Sequence, residues 1–204
     1  MGTKRLRVFA GPNGFGKSTI TKIVKEAGVH LGVYGNVDDL KRAINDSLRF
    51  DFSSYLKQVD MERFWKQFED SLLFERAEGK RIRESCRIEG NAVCFSEAVN
   101  DYFTSFLAGY LREALLDCCE KITFETVMSH PSKLDYIRRA REKGFRINLY
   151  FVSLENPELN KIRVASRVVQ GGHDVPEGKV AERYGRCMEL LYEAKAFGRP
   201  CLFL

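Results

Sequence analysis

The sequence predicts an α/β fold, a doubly wound parallel sheet with helices on both faces and a mostly helical insertion. Two observations lead to this fold class. Apolar strand patterns alternate with helical periodicity at both ends of the chain, which is typical of parallel strands joined by right-handed crossovers. A glycine-rich loop also separates the first strand from the first helix. For 204 residues we expect a single domain over 1–204, with an insertion at about 49–99 and a lid region at about 163–183.

The first quarter of the chain predicts two strand–helix pairs. Residues 5–10 alternate and then run apolar, as a buried strand does. Residues 17–27 follow as a helix that Gly28 ends. A short strand at 32–36 then leads into a second helix at 38–48, where leucine and isoleucine recur at helical spacing.

The middle of the chain is rich in aromatic residues. Apolar side chains recur at helical spacing over residues 64–73 and again over residues 103–115. Residues 81–95 alternate on both sides of Glu89-Gly90-Asn91, which predicts a small β-hairpin. The aromatic stripes could line a ligand pocket, but such stripes more often form a core, and we expect a core here.

After residue 121 the alternation of strands and helices returns. The predicted elements are a strand at 122–125, a helix at 131–143, a strand at 145–154, helices at 157–169 and 177–197, and a last strand at 201–204.

The composition is that of a globular protein with a mild positive charge. The chain is 44% hydrophobic and 30% charged, and its net charge of +5 suits a phosphate-bearing small molecule without favouring nucleic acid as a partner. No apolar run reaches the 18 residues or so that span a bilayer, so no membrane partner is expected. The six cysteines include the adjacent Cys118 and Cys119 and form no CxxC pair, which predicts reduced thiols in a cytoplasmic protein.

The glycine-rich loop matches the phosphate-binding pattern G-x-x-x-x-G-K-[ST]. Its glycines let the backbone wrap closely around a phosphate, and the next helix directs its free N–H groups at the same anion. Lys17 is expected to reach the β- and γ-phosphates, and the Ser18 hydroxyl to coordinate Mg²⁺. The predicted ligands are therefore ATP and Mg²⁺. The predicted nucleotide-binding residues are Gly11, Pro12, Asn13, Gly14, Phe15, Gly16, Lys17, Ser18 and Thr19.

Two absences narrow the class of reaction. The sequence contains no N-K-x-D string, which GTPases use to recognise guanine, and no aliphatic strand that ends in Asp-Glu, as in motor ATPases. A small chain with arginines among its last helices is typical of a phosphotransferase, in which those arginines offset charge during phosphoryl transfer.

The acceptor of the phosphoryl group is expected at the carboxyl ends of the next strands, where ligands bind in doubly wound sheets. Asp38 follows the second predicted strand and is our candidate for the base, although it could equally cap the following helix. Glu125 and Thr126 end the third strand, where a carboxylate could bind acceptor hydroxyls or a metal-bound water. Asn36 lies beside Asp38 in the same segment.

A lid is predicted between the last two helices. Arg167 and Arg183 lie on either side of the turn Gly171-Gly172-His173, which could swing over the phosphates. Lone arginines on helices are usually solvated, so a surface role is the alternative for both.

Taken together, these segments resemble the zeta toxin family of P-loop kinases. The similarity rests on five strings, which are 10–19, Asn36-x-Asp38, Phe124-Glu125-Thr126-Val127-Met128-Ser129, Arg163-Val164-x-x-Arg167-Val168-x-x-Gly171-Gly172-His173-x-Val175-Pro176, and Arg183-Tyr184. It covers about residues 5–48 and 100–204 and leaves 49–99 unmatched. Ser129 stands where founding members of the family carry an arginine.

The resemblance implies an ATP-dependent kinase that phosphorylates the 3′-hydroxyl of the amino sugar in UDP-N-acetylglucosamine, with an antitoxin protein as a partner. Lys17 matches the P-loop lysine of the family, Asp38 its proposed base, Glu125 the acid that contacts the sugar, and Arg167 a lid arginine. At the position of the family's second lid arginine this chain has His173, and Arg183 could supply the missing positive charge instead. Asn36, Asp38, Glu125 and Thr126 are the expected substrate-binding residues.

Two alternatives to this reading stay open. The chain could be a P-loop kinase with a different acceptor, such as another sugar, a nucleoside or an RNA end. It could also be a non-catalytic ATP-binding regulator whose partner is a protein.

Overall fold

The computed structural model describes residues 3–12, 16–152, 177–194, 196 and 199–203. The chain divides into two compact units, Met1–Tyr34 with Glu120–Leu204, and Gly35–Cys119. The predicted insertion at 49–99 lies within the second unit. The predictions of a single domain and of a lid region stay predictions, and most of the lid range lies outside the described residues.

The described strands are β1 (Arg5–Ala10), β2 (Val33–Gly35), β3 (Arg49–Asp51), β4 (Cys86–Glu89), β5 (Ala92–Phe95), β6 (Lys121–Thr126), β7 (Arg146–Val152) and β8 (Arg199–Phe203). The described helices are α1 (Lys17–Glu26), α2 (Val37–Ser47), α3 (Met61–Glu69), α4 (Gly79–Ser85), α5 (Asp101–Cys118), α6 (Ser132–Glu142) and α7 (Glu177–Ala194). The predicted helix at 157–169 lies outside the described residues.

The first unit contains a five-stranded sheet in the order β2-β6-β1-β7-β8, in which β6–β1, β1–β7 and β7–β8 are parallel pairs. From β1 the chain crosses through α1 toward the β2 edge, whereas α6 and α7 carry it back toward the β8 edge. Because such crossovers are right-handed, the two directions put α1 on one face of the sheet and α6 and α7 on the other. This confirms the predicted doubly wound α/β fold.

The apolar strand patterns are explained by burial between these layers. Parallel strands covered on both faces contain nearly continuous apolar runs. The side chains of β1, β6 and β7 that are no more than 2% exposed include Leu6, Val8, Phe9, Ala10, Ile122, Phe124, Leu149 and Phe151. Phe9 and Tyr150 also stack across the β1–β7 pair, with ring centroids 4.6 Å apart.

The second unit contains an antiparallel sheet in the order β3-β5-β4. Glu89 pairs with Ala92, so Gly90 and Asn91 form a two-residue turn, and the φ of +62° at Gly90 is the left-handed conformation that such a turn needs. The predicted hairpin is thus confirmed at its turn. Its first strand begins later than expected, because the segment before Cys86 forms α4 and buries Ile82.

The aromatic side chains of the two stripes form the core of the second unit, as predicted, but the prediction was wrong for the end of the first stripe, because α3 ends at Glu69 and Leu72 is 97% exposed. Phe52, Phe64 and Phe68 are fully buried, and Phe103 on α5 is 1% exposed. The rings meet mostly edge to face, for example Phe64 against Tyr110 with centroids 4.9 Å apart, a favourable arrangement for aromatic pairs. Burial of this kind indicates a packing role for the stripes.

Among the described residues, no helix is both long and apolar enough to cross a lipid bilayer.

Candidate functional site

The glycine-rich loop begins at a very close approach to a neighbouring strand. Gly11 has a φ of +147°, and a Cβ atom built on it would lie only 2.2 Å from the backbone oxygen of Val152 at the end of β7. Its N–H donates a hydrogen bond to the carbonyl of Thr126 at the end of β6, at 3.2 Å. Only glycine fits this position, because it combines a backbone conformation that L side chains rarely adopt with no room for a Cβ.

The loop leads directly into α1. Gly16 takes a left-handed φ of +80°, and α1 begins at Lys17. The Lys17 ammonium donates to the backbone oxygens of Gly11 at 2.9 Å and Pro12 at 2.8 Å. The side chain thus holds its positive charge at the start of the loop, near the helix end whose free N–H groups also attract anions. Asn13, Gly14 and Phe15 lie outside the described residues.

A carboxylate lies against the first turns of the same helix. Glu125 is the fifth residue of β6, and its Oε2 accepts a hydrogen bond from the Ser18 hydroxyl at 2.8 Å. Its Oε1 accepts from the Thr21 hydroxyl at 2.9 Å and from the Tyr34 hydroxyl at 2.7 Å. The structure therefore brings together Glu125 and Ser18, which were predicted, with Thr21 and Tyr34, which were not.

The donor set at this point fits a magnesium ion. Mg²⁺ prefers oxygen ligands and is usually bound by one or two carboxylates or hydroxyls together with water and the phosphates of a nucleotide. Ser18 and Glu125 offer such oxygens side by side at the start of α1. Within the described residues, no group of three or more His, Cys, Asp or Glu side chains could hold a metal ion by itself. The residues present therefore suit a metal that is shared with bound phosphates.

The turn after β6 is held by three hydrogen bonds. The Thr126 carbonyl accepts from Gly11, and the Thr126 hydroxyl accepts from the N–H of Met128 at 3.0 Å. Met128 is fully buried with a φ of +56°, a conformation in which a non-glycine residue stores strain. The Cys187 thiol of α7 donates to the carbonyl of Val127 at 2.8 Å. These contacts hold the backbone that directly follows Glu125.

Cys187 makes a contact at this turn that the sequence did not reveal. Its side chain is fully buried, and this burial raises the pKa of the thiol to about 12, against a smaller opposing effect of the nearby Lys17 charge. The thiol is therefore neutral at physiological pH and acts as a hydrogen-bond donor. A single cysteine in a helical pattern gives no signal for this contact.

Alkylation should distinguish Cys187 from the exposed Cys118. Cys118 is exposed and open to the reagent, whereas the buried Cys187 thiol, with its pKa raised to about 12, stays protonated and covered at pH 8. We expect iodoacetamide to modify Cys118 in the native protein and to leave Cys187 unmodified until urea unfolds the chain, as read by peptide mass spectrometry. Equal native labelling rates at the two positions would contradict the buried, neutral thiol.

The structure also shows where Asp38 lies relative to the start of helix α2. Helix α2 begins at Val37, and the Asn36 carbonyl accepts the first helical hydrogen bond from Leu40 at 3.0 Å. Asn36 therefore occupies the N-cap position, and the alternative in which Asp38 caps the helix is wrong. Asp38 is instead the second helical residue. Its role as a base stays a prediction.

The predicted lid cations are only partly within the described residues. Arg163, Arg167 and His173 lie outside them, and Arg183 belongs to α7. The roles of Arg167 and Arg183 stay predictions.

Comparison with models of known protein families gives no match. A stretch of 60 residues is 33% identical to an uncharacterized protein of Haemophilus influenzae and covers 29% of this chain and 43% of that protein. The chain thus spans less than half the length of this curated relative.

Solved structures resemble nearly the whole chain. One is from the PezAT chromosomal toxin–antitoxin system of Streptococcus pneumoniae, with a TM-score of 0.51 and 14% identity over 99% of this chain and 69% of that chain. Another is AvrRxo1-ORF1:-ORF2 with ATP, with a TM-score of 0.58 and 18% identity over 98% of this chain and 54% of that chain. The same pair with sulphate ions gives a TM-score of 0.52 and 19% identity over the same shares.

These similarities define the class of the protein at the level of its fold. The five-stranded sheet, the glycine-rich loop after β1 and α1 belong to a P-loop kinase-like α/β fold.

Proposed function

We propose that this protein is an ATP-dependent phosphotransferase that transfers the γ-phosphoryl group of ATP to a hydroxyl group of a small molecule. The observation that carries the proposal is the hydrogen bond between the Ser18 hydroxyl and Glu125 Oε2, which puts a carboxylate beside the phosphate loop. A nucleotide sugar such as UDP-N-acetylglucosamine is the acceptor that the resemblance to zeta toxins favours.

In this proposal the glycine-rich loop and α1 bind ATP, the phosphoryl donor. The backbone of residues 11–19 would hold the phosphates of ATP, with Lys17 at the β- and γ-phosphates. Ser18 would contribute its hydroxyl to Mg²⁺, and Glu125 would hold a water of that ion, which is the second of its two predicted roles. When bound, Mg²⁺ supplies positive charge that offsets the charge of the transferred group.

The acceptor side is assigned to Asn36, Asp38 and Thr126. The acceptor hydroxyl attacks the γ-phosphorus, the bond between the β- and γ-phosphates breaks, and ADP leaves. Asp38 takes the proton of the attacking hydroxyl. Arg167 and Arg183 would bring further positive charge to the transferred group from the lid.

An antitoxin is the proposed protein partner. This proposal depends on the resemblance of the sequence to zeta toxins and on the similarity to a structure from the PezAT toxin–antitoxin system.

The direct test incubates the protein with Mg²⁺ and γ-labelled ATP in the presence of one acceptor at a time. The panel contains UDP-N-acetylglucosamine, other nucleotide sugars, free N-acetylglucosamine, a nucleoside and an RNA with a free 5′-hydroxyl. Lys17→Met serves as the control, because it removes the charge that is expected at the β- and γ-phosphates. We expect a labelled nucleotide sugar that depends on Lys17.

The other outcomes separate the alternatives. If only the nucleoside or only the RNA becomes labelled, the protein is a kinase, but its acceptor is not a nucleotide sugar. ATP binding with no transfer to any acceptor and no hydrolysis would refute the kinase and favour a non-catalytic regulator. Slow ATP hydrolysis with every acceptor would refute the proposed nucleotide-sugar acceptor and leave nucleotide binding in place.

A further inference from the structure

We infer that Thr21 and Tyr34 are positioning residues, which hold one oxygen of Glu125 so that its other oxygen stays beside Ser18. The inference rests on the proposed function, which gives Glu125 its task next to the metal ion and ATP. Neither residue belongs to the loop pattern or to the predicted acceptor segment.

The two oxygens of Glu125 have different surroundings. Oε1 accepts two hydrogen bonds, from Thr21 at 2.9 Å and from Tyr34 at 2.7 Å, whereas Oε2 accepts one, from Ser18 at 2.8 Å. Because a carboxylate oxygen has about two lone-pair positions, the hydroxyls on Oε1 fill its capacity. Oε2 is the oxygen that can accept a further donor, such as a water bound to a metal ion. One oxygen thus anchors the side chain and the other is presented to the ligand.

Thr21 is well placed for the anchoring role. It lies three residues after Ser18 on α1, so the two hydroxyls share a face of the helix. Its side chain is buried, and its hydroxyl lies 3.0 Å from the Lys17 carbonyl as well as 2.9 Å from Glu125. The hydroxyl has a single proton, which goes to the charged acceptor because charge-assisted hydrogen bonds are the stronger ones.

Tyr34 supplies the second anchor from a different element. It lies on β2, which neighbours β6 in the sheet, so its hydroxyl reaches Glu125 from the adjacent strand. Two residues after Tyr34 the chain reaches Asn36, where the predicted acceptor segment begins. A glutamate side chain has three rotatable bonds, and contacts from both a helix and a strand restrict it to one orientation.

The expected consequence is a specific loss of the metal-dependent part of ATP binding. Mutating a group that orients a metal ligand through a hydrogen bond typically reduces metal affinity or activity by about 10- to 100-fold. We expect Tyr34→Phe and Thr21→Val each to reduce about 10-fold the gain in ATP affinity that Mg²⁺ provides. ATP affinity in EDTA should not change, because neither side chain belongs to the phosphate loop.

The experiment titrates ATP into the full chain by calorimetry, at several Mg²⁺ concentrations and in EDTA. Thr21→Ser keeps the hydroxyl and is the matched control, which should behave like the unmodified protein. Glu125→Gln defines the complete loss of the carboxylate. Tyr34→Phe and Thr21→Val test the inference independently. Either variant is sufficient for the test if its thermal transition shows that it folds.

The outcomes distinguish the inference from the proposal on which it rests. If Mg²⁺ does not strengthen ATP binding to the unmodified protein, the proposed function fails and the inference with it. If Mg²⁺ strengthens binding equally in Tyr34→Phe, Thr21→Val and the unmodified protein, the inference alone is wrong. An equal weakening in Mg²⁺ and in EDTA would likewise overturn it, because that pattern indicates a general structural role.

Discussion

Replacing Asp38 with asparagine should reduce the rate of phosphoryl transfer by about 10²- to 10⁴-fold, the usual contribution of a general base. Asparagine has nearly the same size and can still form hydrogen bonds, but it cannot take the proton of the acceptor hydroxyl. The affinity for ATP should not change, because the residues expected to bind ATP belong to the phosphate loop and α1. Initial rates of labelled product and calorimetric titration with ATP measure the two quantities separately.

Asp39→Asn is the matched control for this variant. Asp39 is the next residue of the same helical turn, and its exposed carboxylate lies 4.0 Å from Arg42, a surface pair that contributes little. We expect this variant to transfer phosphate at the unmodified rate. Full activity in Asp38→Asn, or an equal loss in both variants, would show that Asp38 is not the base.

The second large effect concerns the backbone at the start of the loop. Gly11→Ala should lower the free energy of unfolding by about 2–4 kcal/mol, the sum of a strained backbone and an overpacked contact. The clash is with the backbone oxygen of Val152, which cannot move aside without moving β7. Because Gly11 also begins the loop, ATP binding should be lost as well. Urea unfolding followed by circular dichroism, and calorimetry with ATP, measure the two effects.

Gly28→Ala separates the two causes. Gly28 has a φ of +80°, and a Cβ atom built on it meets nothing within 4 Å. The substitution should therefore cost only the strain of a left-handed residue, about 1 kcal/mol, and ATP binding should be unaffected. A Gly11→Ala protein as stable as Gly28→Ala would mean that the contact with Val152 does not constrain the loop.

Much of the fold could be predicted because its signals are local. Residues 5–10 and 17–27 form a strand and a helix close to the predicted limits, since the apolar run and the stop at Gly28 both act within a few residues. The turn at Gly90 could be predicted for the same reason, because its signal also lies within a few residues. The segment 81–85 was predicted wrongly as part of a strand, because one buried residue, Ile82, fits a helical turn as well as an alternating pattern.

The candidate site was predictable only in part. The glycine-rich loop is a contiguous string, so the position of Lys17 and Ser18 at the start of α1 could be predicted from spacing alone, whereas their roles stay predictions. Thr21 could have been noticed, because it lies on the same helical face as Ser18. Tyr34 and Cys187 could not, since a tyrosine in a short strand and a cysteine in a helix are most often packing residues.

The sequence by itself determined the glycine-rich loop and the strand and helix on either side of it, because these depend on neighbouring residues. Only the tertiary structure decided what surrounds Glu125. Its partners Thr21 and Tyr34 are 104 and 91 residues away along the chain, and they meet it because β6 inserts between β2 and β1. The order of strands in a parallel sheet is set by long-range packing, which no local pattern encodes.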